Sequence, residues 1–191
     1  MSHNPLRIAV IMASTREGRF IPTITEWIAQ QARDHGDLEI DVIDLAEARL
    51  PDVLAFDPTP DAVTALAPRL DAADAFIVVT PEYNHSFPAP LKTAIDWYHA
   101  EWRAKPVAFV SYGGMSGGLR AVEQLRQVFA ELHATTIRDT VSFHNAWDRF
   151  DARGRPVDAE GVNTAARTML GQLTWWADAL REARVRRPYA A

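Results

Sequence analysis

The sequence predicts an open α/β fold of three layers, α/β/α, with helices on both faces of a five-stranded parallel sheet. Short apolar runs rich in β-branched residues alternate with longer segments of helical periodicity along the 191 residues. The apolar runs are nearly continuous, which is typical of strands that are buried on both faces. Five pairs of strand and helix favour the strand order 2-1-3-4-5, in which ligands bind at the carboxyl ends of the strands.

The predicted elements follow one another without a repeat or a linker. The strands are residues 8–13, 40–45, 75–80, 107–110 and 135–141. The helices are residues 21–35, 61–73, 88–99, 116–132 and 162–184. This alternation is that of βαβ units, which build parallel sheets. The polar stretch 142–161 is too long for a simple connection, so we expect a loop or lid there, to which Trp147 and Phe150 would belong.

Composition and charge narrow the classes of function. The chain has no cysteine, which excludes disulfides and dithiol redox chemistry, so any electron transfer needs a bound cofactor. A net charge of −5 does not indicate the excess of basic residues that is typical of nucleic-acid-binding proteins. The six histidines share no His-x-x-x-His spacing, so we expect no metal site. No apolar run approaches the roughly 18 residues of a membrane helix. We therefore expect a single domain over residues 1–191 that acts in the cytoplasm.

The loop after the first predicted strand carries the chemistry of an anion site. Residues 14–20 read Ser-Thr-Arg-Glu-Gly-Arg-Phe and lead into a helix. Hydroxyls, guanidinium groups, backbone N–H groups and a helix N-terminus are the parts that hold a phosphate. An ordinary capped turn with solvated arginines is the alternative interpretation.

Two further loops are expected at the same edge of the sheet. The first follows the third predicted strand and has three prolines within ten residues, at positions 81, 88 and 90. Prolines restrict the backbone, so this loop could present fixed hydrogen-bonding groups to the edge of a flat ring. A capped turn in which Tyr83 and Phe87 only pack is the alternative. Residues 111–118 contain four glycines, which let a backbone approach a ligand closely, ahead of a helix N-terminus that favours negative charge.

Together these motifs resemble the NADPH-dependent FMN reductase family, which has the flavodoxin-like fold and includes quinone, azo-compound and chromate reductases. The most specific match is Pro-Glu-Tyr-Asn at 81–84, followed by Leu-Lys-Thr-Ala-Ile-Asp-Trp at 91–97. The family pattern usually opens with Gly-Ser-x-Arg, where this chain has Ala-Ser-Thr-Arg at 13–16. The match runs through nearly the whole chain in order.

The resemblance implies FMN as cofactor, NADPH or NADH as hydride donor, a small-molecule electron acceptor, and a homodimer or homotetramer. The residues that it implies for the FMN phosphate, or beside it, are Ser14, Thr15, Arg16, Arg19, Phe20 and Ile21. Those implied for the isoalloxazine lie on the loop that opens with Pro81 and are Glu82, Tyr83, Asn84 and His85. Those implied for the pyrimidine edge or the ribityl chain are Ser111, Tyr112, Gly113 and Gly114. No catalytic side chain is nominated, because the flavin performs the chemistry.

Two other functions stay open on sequence grounds. An FMN-binding electron carrier or redox-responsive binding protein would use the same cofactor without turnover of its own. A serine hydrolase would use Ser116, since residues 114–118 fit the Gly-x-Ser-x-Gly pattern at a strand-to-helix turn and are followed by Asp139 and His144. Against the hydrolase, Asp139 and His144 lie only five residues apart, and no His-Gly-Gly-Gly oxyanion loop is present.

Overall fold

A parallel sheet forms the centre of the structure, a computed structural model that describes residues 4–55 and 57–190. The strands in this described part are β1 (Leu6–Met12), β2 (Leu38–Asp44), β3 (Ala75–Pro81), β4 (Pro106–Gly113), β5 (Thr135–Thr136) and β6 (Val141–His144). Their order is β2-β1-β3-β4, with both β5 and β6 on the free side of β4, and every pairing is parallel. The predicted order 2-1-3-4-5 is confirmed.

The fifth position of the sheet is divided between two short strands, which corrects the prediction of one strand over residues 135–141. β5 pairs with the start of β4, and β6 pairs with its carboxyl half. Between them the chain leaves the ladder, and the guanidinium of Arg126 donates to the carbonyls of Ile137 and Arg138 at 2.7 and 3.0 Å. A side chain from the neighbouring helix therefore replaces the strand partner that these carbonyls lack.

Helices cover both faces of the sheet. They are α1 (Ile21–His35), α2 (Leu45–Ala48), α3 (Asp61–Ala72), α4 (Ala89–Trp97), α5 (Leu119–Glu131) and α6 (Ala159–Arg186). Each predicted helix has a counterpart whose ends agree within three residues, whereas the single turn α2 was not predicted. Among the described residues, no helix has the length and apolar character needed to cross a bilayer.

The strands bury side chains on both faces, which explains their unbroken apolar sequences. Ile8, Val10 and Met12 of β1 belong to the core under α1 and α6. Ala9 and Ile11 belong to the opposite core, under α3, α4 and α5. This alternation follows from the two-residue period of a strand, and it confirms the predicted three layers.

The segment 142–161 is more ordered than the predicted loop. Its first residues complete β6, a short 3-10 turn covers Ala146–Asp148, and α6 begins at Ala159. Phe150 is buried, with its ring centroid 5.0 Å from that of Phe143 and 5.6 Å from that of Phe20. Phe150 is therefore a core residue that anchors this segment, which argues against the lid alternative at this position.

Candidate functional site

The loops after β1, β3 and β4 meet at the carboxyl edge of the sheet, as the sequence predicts, and they surround a cavity of about 360 Å³. The segment that follows β6 completes its wall. The lining residues are Arg16, Gly18, Arg19, Phe20, Pro81, Glu82, Tyr83, Tyr112, Gly113, Gly114, Ala146 and Trp147. Since parallel strands end at one edge, residues far apart in sequence come together here.

Arg19 braces the first loop against the end of β2. Its Nη1 donates to the Ser14 carbonyl at 2.7 Å and to Asp44 at 2.6 Å, and its Nη2 also bonds the Asp44 carboxylate. Asp44 in turn accepts from the Ala46 N–H at the start of α2. Burial alone would raise the pKa of Asp44, but the hydrogen bonds from Arg19 and Ala46 outweigh it and lower that pKa. The guanidinium of Arg19 is thus committed to holding the loop.

Arg16 differs from Arg19, because its guanidinium forms no ion pair in the part of the chain that the structure describes. In that same part, the backbone N–H groups of Glu17, Gly18 and Arg19 have no hydrogen-bond acceptor. Gly18 has φ +63°, a left-handed conformation that suits glycine and turns the loop towards the N-terminus of α1. Unpaired donors beside the positive end of a helix are the features that bind a phosphate.

A two-residue turn forms the tip of the second loop. Tyr83 and Ser86 exchange backbone hydrogen bonds of 2.8 and 3.0 Å, and Asn84 and His85 between them have φ values of 50° and 68°. Gln124 of α5 fixes the turn, since it accepts from the Ser86 hydroxyl at 2.6 Å and donates to the His85 carbonyl at 2.8 Å. Asn84 and His85 are exposed and do not line the cavity.

Three hydroxyl groups join the three loops beneath the cavity. The buried Ser14 hydroxyl lies 2.7 Å from the Tyr83 hydroxyl and also hydrogen-bonds Tyr112. Burial, with Tyr83 as a neighbour, raises the pKa of Tyr112 well above its usual value. Tyr112 therefore stays neutral near pH 7 and keeps a hydroxyl that can donate a hydrogen bond at the cavity wall.

Glu82 ties the second loop to the start of α5. Its side chain is 7% exposed and accepts from the backbone N–H of Arg120 at 3.2 Å, from the Arg120 guanidinium at 3.0 Å and from the Ser116 hydroxyl. Burial alone would raise the pKa of Glu82, but these hydrogen bonds lower it below its usual value. Glu82 is therefore a paired anion near pH 7 instead of a free base.

The glycines of the third loop serve two purposes. A Cβ on Gly118, which has φ +87°, would lie 2.6 Å from the Cβ of Ser111 and 2.9 Å from the backbone nitrogen of Tyr112. Gly118 is therefore required by close packing within the loop. A Cβ on Gly114 would meet only the Trp147 ring, at 3.7 Å. The backbone of Gly114 thus borders the open mouth of the cavity, where a side chain would occupy ligand space.

The contacts of a serine hydrolase triad are not formed. The Ser116 hydroxyl bonds Glu82, and the Nδ1 atom of His144 lies 2.7 Å from the Met115 carbonyl oxygen. Asp139 accepts from the Nε2 atom of Gln172 at 2.6 Å. Each member of the supposed triad is engaged elsewhere, so this alternative has no geometric support.

Nine of the fifteen residues predicted for cofactor binding line the cavity. Ser14 and Ser111 are buried beneath it, and Ile21 belongs to the core under α1. Thr15 faces a neighbouring cavity of about 370 Å³. Three lining residues were not among the predicted binding residues: Gly18, Ala146 and Trp147. Ala146 and Trp147 follow β6 and therefore lie at the same edge of the sheet. The sequence did not show this, because the fifth strand is interrupted and its end could not be located. Binding by individual residues stays a prediction.

A comparison with known families decides the classification of the chain. Residues 6–148 match the sequence model of NADPH-dependent FMN reductases. The chain belongs to this family. Members are oxidoreductases that use FMN as cofactor and NAD(P)H as electron donor, which confirms these expectations for this protein.

Relatives and solved structures agree with this family. An NAD(P)H-dependent FMN reductase of Schizosaccharomyces pombe is 36% identical over 131 residues, which are 64% of this chain and 64% of that protein. A probable NADPH:quinone oxidoreductase of Oryza sativa is 32% identical over 168 residues, 83% of each chain. The flavoenzyme FerB of Paracoccus denitrificans superposes with a TM-score of 0.71 at 22% identity, covering 93% of this chain and 98% of FerB. An archaeal flavodoxin superposes with a TM-score of 0.59 at 14% identity, covering 88% and 99%. The fold is flavodoxin-like.

Proposed function

We propose that the protein is an NAD(P)H:quinone reductase whose FMN occupies the cavity at the carboxyl edge. The observation that carries the proposal is the convergence of unpaired donors on this cavity, with the Arg16 guanidinium and free N–H groups in the first loop and a glycine backbone in the third. A phosphate and a flat polar ring are the two ends of FMN, and both find matching groups. Quinone is chosen as acceptor because relatives from rice, Arabidopsis thaliana and potato are named quinone oxidoreductases.

The first loop would hold the phosphate through Arg16 and the N–H groups of residues 17–19, while Arg19 keeps the loop in place. The backbone of residues 81–83 and of Gly113 and Gly114 would face the ring. In this arrangement Ser14 acts indirectly, because its hydroxyl fixes Tyr83 and Tyr112 from below.

Bound FMN supplies a two-electron carrier, so that NAD(P)H, a quinone and one proton yield NAD(P)⁺ and a hydroquinone. The protein contributes position and electrostatics. Tyr112 stays protonated because its pKa is raised, and Glu82 stays ionised and paired with Arg120. The N-terminus of α5 behind the third loop favours negative charge on the ring edge. None of these groups has to exchange a proton during turnover.

We also propose that residues 1–191 form one domain, that the chain assembles as a homodimer or homotetramer, and that it acts in the cytoplasm without nucleic acid. Assembly is supported by apolar surface on α6, where Trp175 and Trp176 are exposed. The net charge of −5 supports the absence of nucleic acid as a partner. The lack of cysteine, and so of disulfides, supports the cytoplasmic location.

Anaerobic steady-state kinetics test the proposed activity. We expect one quinone to be consumed for each NADPH, with parallel double-reciprocal plots when both substrates are varied, because donor and acceptor would use the same face of the ring in turn. The electron carrier alternative predicts that the flavoprotein reacts with quinone only after chemical reduction by dithionite. Failure of NADPH to support quinone reduction would therefore overturn the proposed activity.

A further inference from the structure

Trp147 is an exposed aromatic side chain at the mouth of the cavity. Its side chain is 64% exposed, and it forms part of the cavity wall beside Gly114. An indole carries a large apolar face that stacks well on flat rings. Nothing in the packing of the core requires it, since the adjacent Ala146 is the residue of this turn that is buried.

The backbone that carries Trp147 is held on both sides. The N–H of Asn145 donates to the Gly114 carbonyl at 2.9 Å, and the N–H of Arg149 donates to the Ala146 carbonyl at 3.1 Å. The Arg149 guanidinium also donates to the His144 carbonyl at 2.9 Å. Stacking on a side chain presented by such a fixed turn orders little additional backbone, which lowers the entropic cost of binding.

An exposed apolar side chain lies next to the turn that carries Trp147. Met115 is 84% exposed, and its carbonyl is tied to the Nδ1 atom of His144 at 2.7 Å, next to the turn that carries Trp147. The cationic side chains that line the cavity, Arg16 and Arg19, belong to the loop after β1, and the carboxylate in its wall, Glu82, is paired with Arg120. In the sheet, β1 and β6 are separated by three strand spacings, about 14 Å at roughly 4.8 Å each. The wall near Trp147 is therefore the end of the cavity that suits an uncharged ring.

We propose that Trp147 determines acceptor specificity by stacking on the ring of an aromatic electron acceptor. The inference rests on the proposed quinone reductase function and adds to it a preference for flat apolar acceptors over small hydrophilic ones. Met115, whose carbonyl hydrogen-bonds His144 next to this turn, offers further exposed apolar surface. Arg16 and the first loop have no part in this selection.

Kinetics and binding of the holoenzyme test this role with Trp147→Ala, Trp147→Phe and a control, Tyr189→Ala. Tyr189 is 49% exposed after the end of α6 and does not line the cavity, so it controls for the loss of an exposed aromatic side chain elsewhere. The acceptors are 2,3-dimethyl-1,4-naphthoquinone and ferricyanide. Binding of the oxidised quinone is measured by calorimetry without NADPH, and FMN affinity is measured by flavin fluorescence.

We expect Trp147→Ala to raise KM and the dissociation constant for the naphthoquinone about tenfold, the scale of a lost ring stack with its buried area. KM for ferricyanide, the rate of reduction by NADPH and the FMN dissociation constant stay unchanged, and Trp147→Phe restores most of the quinone affinity. An unchanged quinone KM in Trp147→Ala overturns the inference, and so does a loss of FMN affinity, which would place the indole against the cofactor. A wild-type protein that reduces no quinone overturns the proposed function instead, so the two failures are distinguishable.

Discussion

At the scale of single residues, two arginines of the first loop have different tasks, although the sequence assigns both to the phosphate. The guanidinium of Arg19 donates hydrogen bonds to Asp44 and to the Ser14 carbonyl. Arg16 lines the cavity and forms no ion pair in the described part of the chain. The partner of Arg19 lies 25 residues away at the end of β2, a proximity that only the folded sheet creates.

Replacing Arg16 with Ala should weaken FMN binding by about ten- to a hundredfold, because a hydrogen bond to a charged group contributes about 1.5–3 kcal/mol. The free energy of unfolding of the apoprotein should not change, since Arg16 is exposed. Titration of the apoprotein with FMN, followed by flavin fluorescence, measures the effect. Arg187→Ala, an exposed arginine just after α6, is the matched control. Unaltered FMN affinity in Arg16→Ala would remove this residue from the phosphate site.

The position of Glu82 could be predicted from the sequence, but its hydrogen-bond partners could not. The Pro-Glu-Tyr-Asn motif predicts Glu82 for the site, and in the structure Glu82 lines the cavity. Its partners lie more than thirty residues later, Ser116 in the glycine loop before α5 and Arg120 at the start of α5. The pattern that made Ser116 a candidate nucleophile thus reflects a loop in which this hydroxyl holds a carboxylate. No local spacing in the sequence reveals that pairing.

At the scale of elements, strong amphipathic periodicity made α1, α3, α4, α5 and α6 predictable to within three residues. The fifth strand was not predictable in detail. Its middle leaves the hydrogen-bond ladder because other groups bond it. Arg126 of α5 donates to the carbonyls of Ile137 and Arg138, and Asp139 accepts a hydrogen bond from Gln172 of α6. These are tertiary contacts, and they override a local preference for strand.

The glycine loop between β4 and α5 should not tolerate a side chain at position 118. A methyl group there would press against the Cβ of Ser111 in a left-handed conformation, so Gly118→Ala should lower the free energy of unfolding by about 2 kcal/mol or more. Gly171→Ala in α6 is the matched substitution, since its Cβ meets nothing within 4 Å and helix propensity should raise stability by about 0.5–1 kcal/mol. Urea unfolding followed by circular dichroism measures both. Equal midpoints for Gly118→Ala and wild type would contradict this view of the loop.

Lys105 closes the C-terminal end of α3 with a buried ammonium group. Its Nζ donates to the carbonyls of Leu70 and Asp71 at 3.0 and 2.7 Å. Burial lowers the pKa of Lys105 from 10.5 to about 8, and the nearby Asp71 only partly opposes that effect. Below pH 8 both folded and unfolded chains are protonated at this site, so the cost of the buried charge is fully present.

Above pH 8 the folded protein releases this proton while the unfolded chain still holds it, so stability should rise with pH. We expect the free energy of unfolding of wild type, minus that of Lys105→Met, to increase between pH 8 and 10 by about 2 kcal/mol. Urea unfolding at a series of pH values gives this difference. A difference that is flat over this range would show that Lys105 keeps an ordinary pKa.

At the scale of the whole molecule, alternation of strand and helix was enough to predict the three layers, the strand order and the edge at which the site lies. The three loops that line the cavity were also predictable, because each carries its own residue chemistry. The fourth wall, with Ala146 and Trp147, was not, since it depends on where an interrupted strand ends. The hydroxyl cluster beneath the cavity likewise depends on the packing of three distant segments.

The cavity at the carboxyl edge is proposed to hold an FMN that NAD(P)H can reduce. The most direct test of this proposal is the visible absorption spectrum of the purified protein, with FMN added if necessary, before and after NADPH under anaerobic conditions. We predict the bands of oxidised flavin in the protein fraction after gel filtration, and their bleaching when NADPH is added. A protein that neither carries flavin nor takes up added FMN would show that this cavity is not an FMN site.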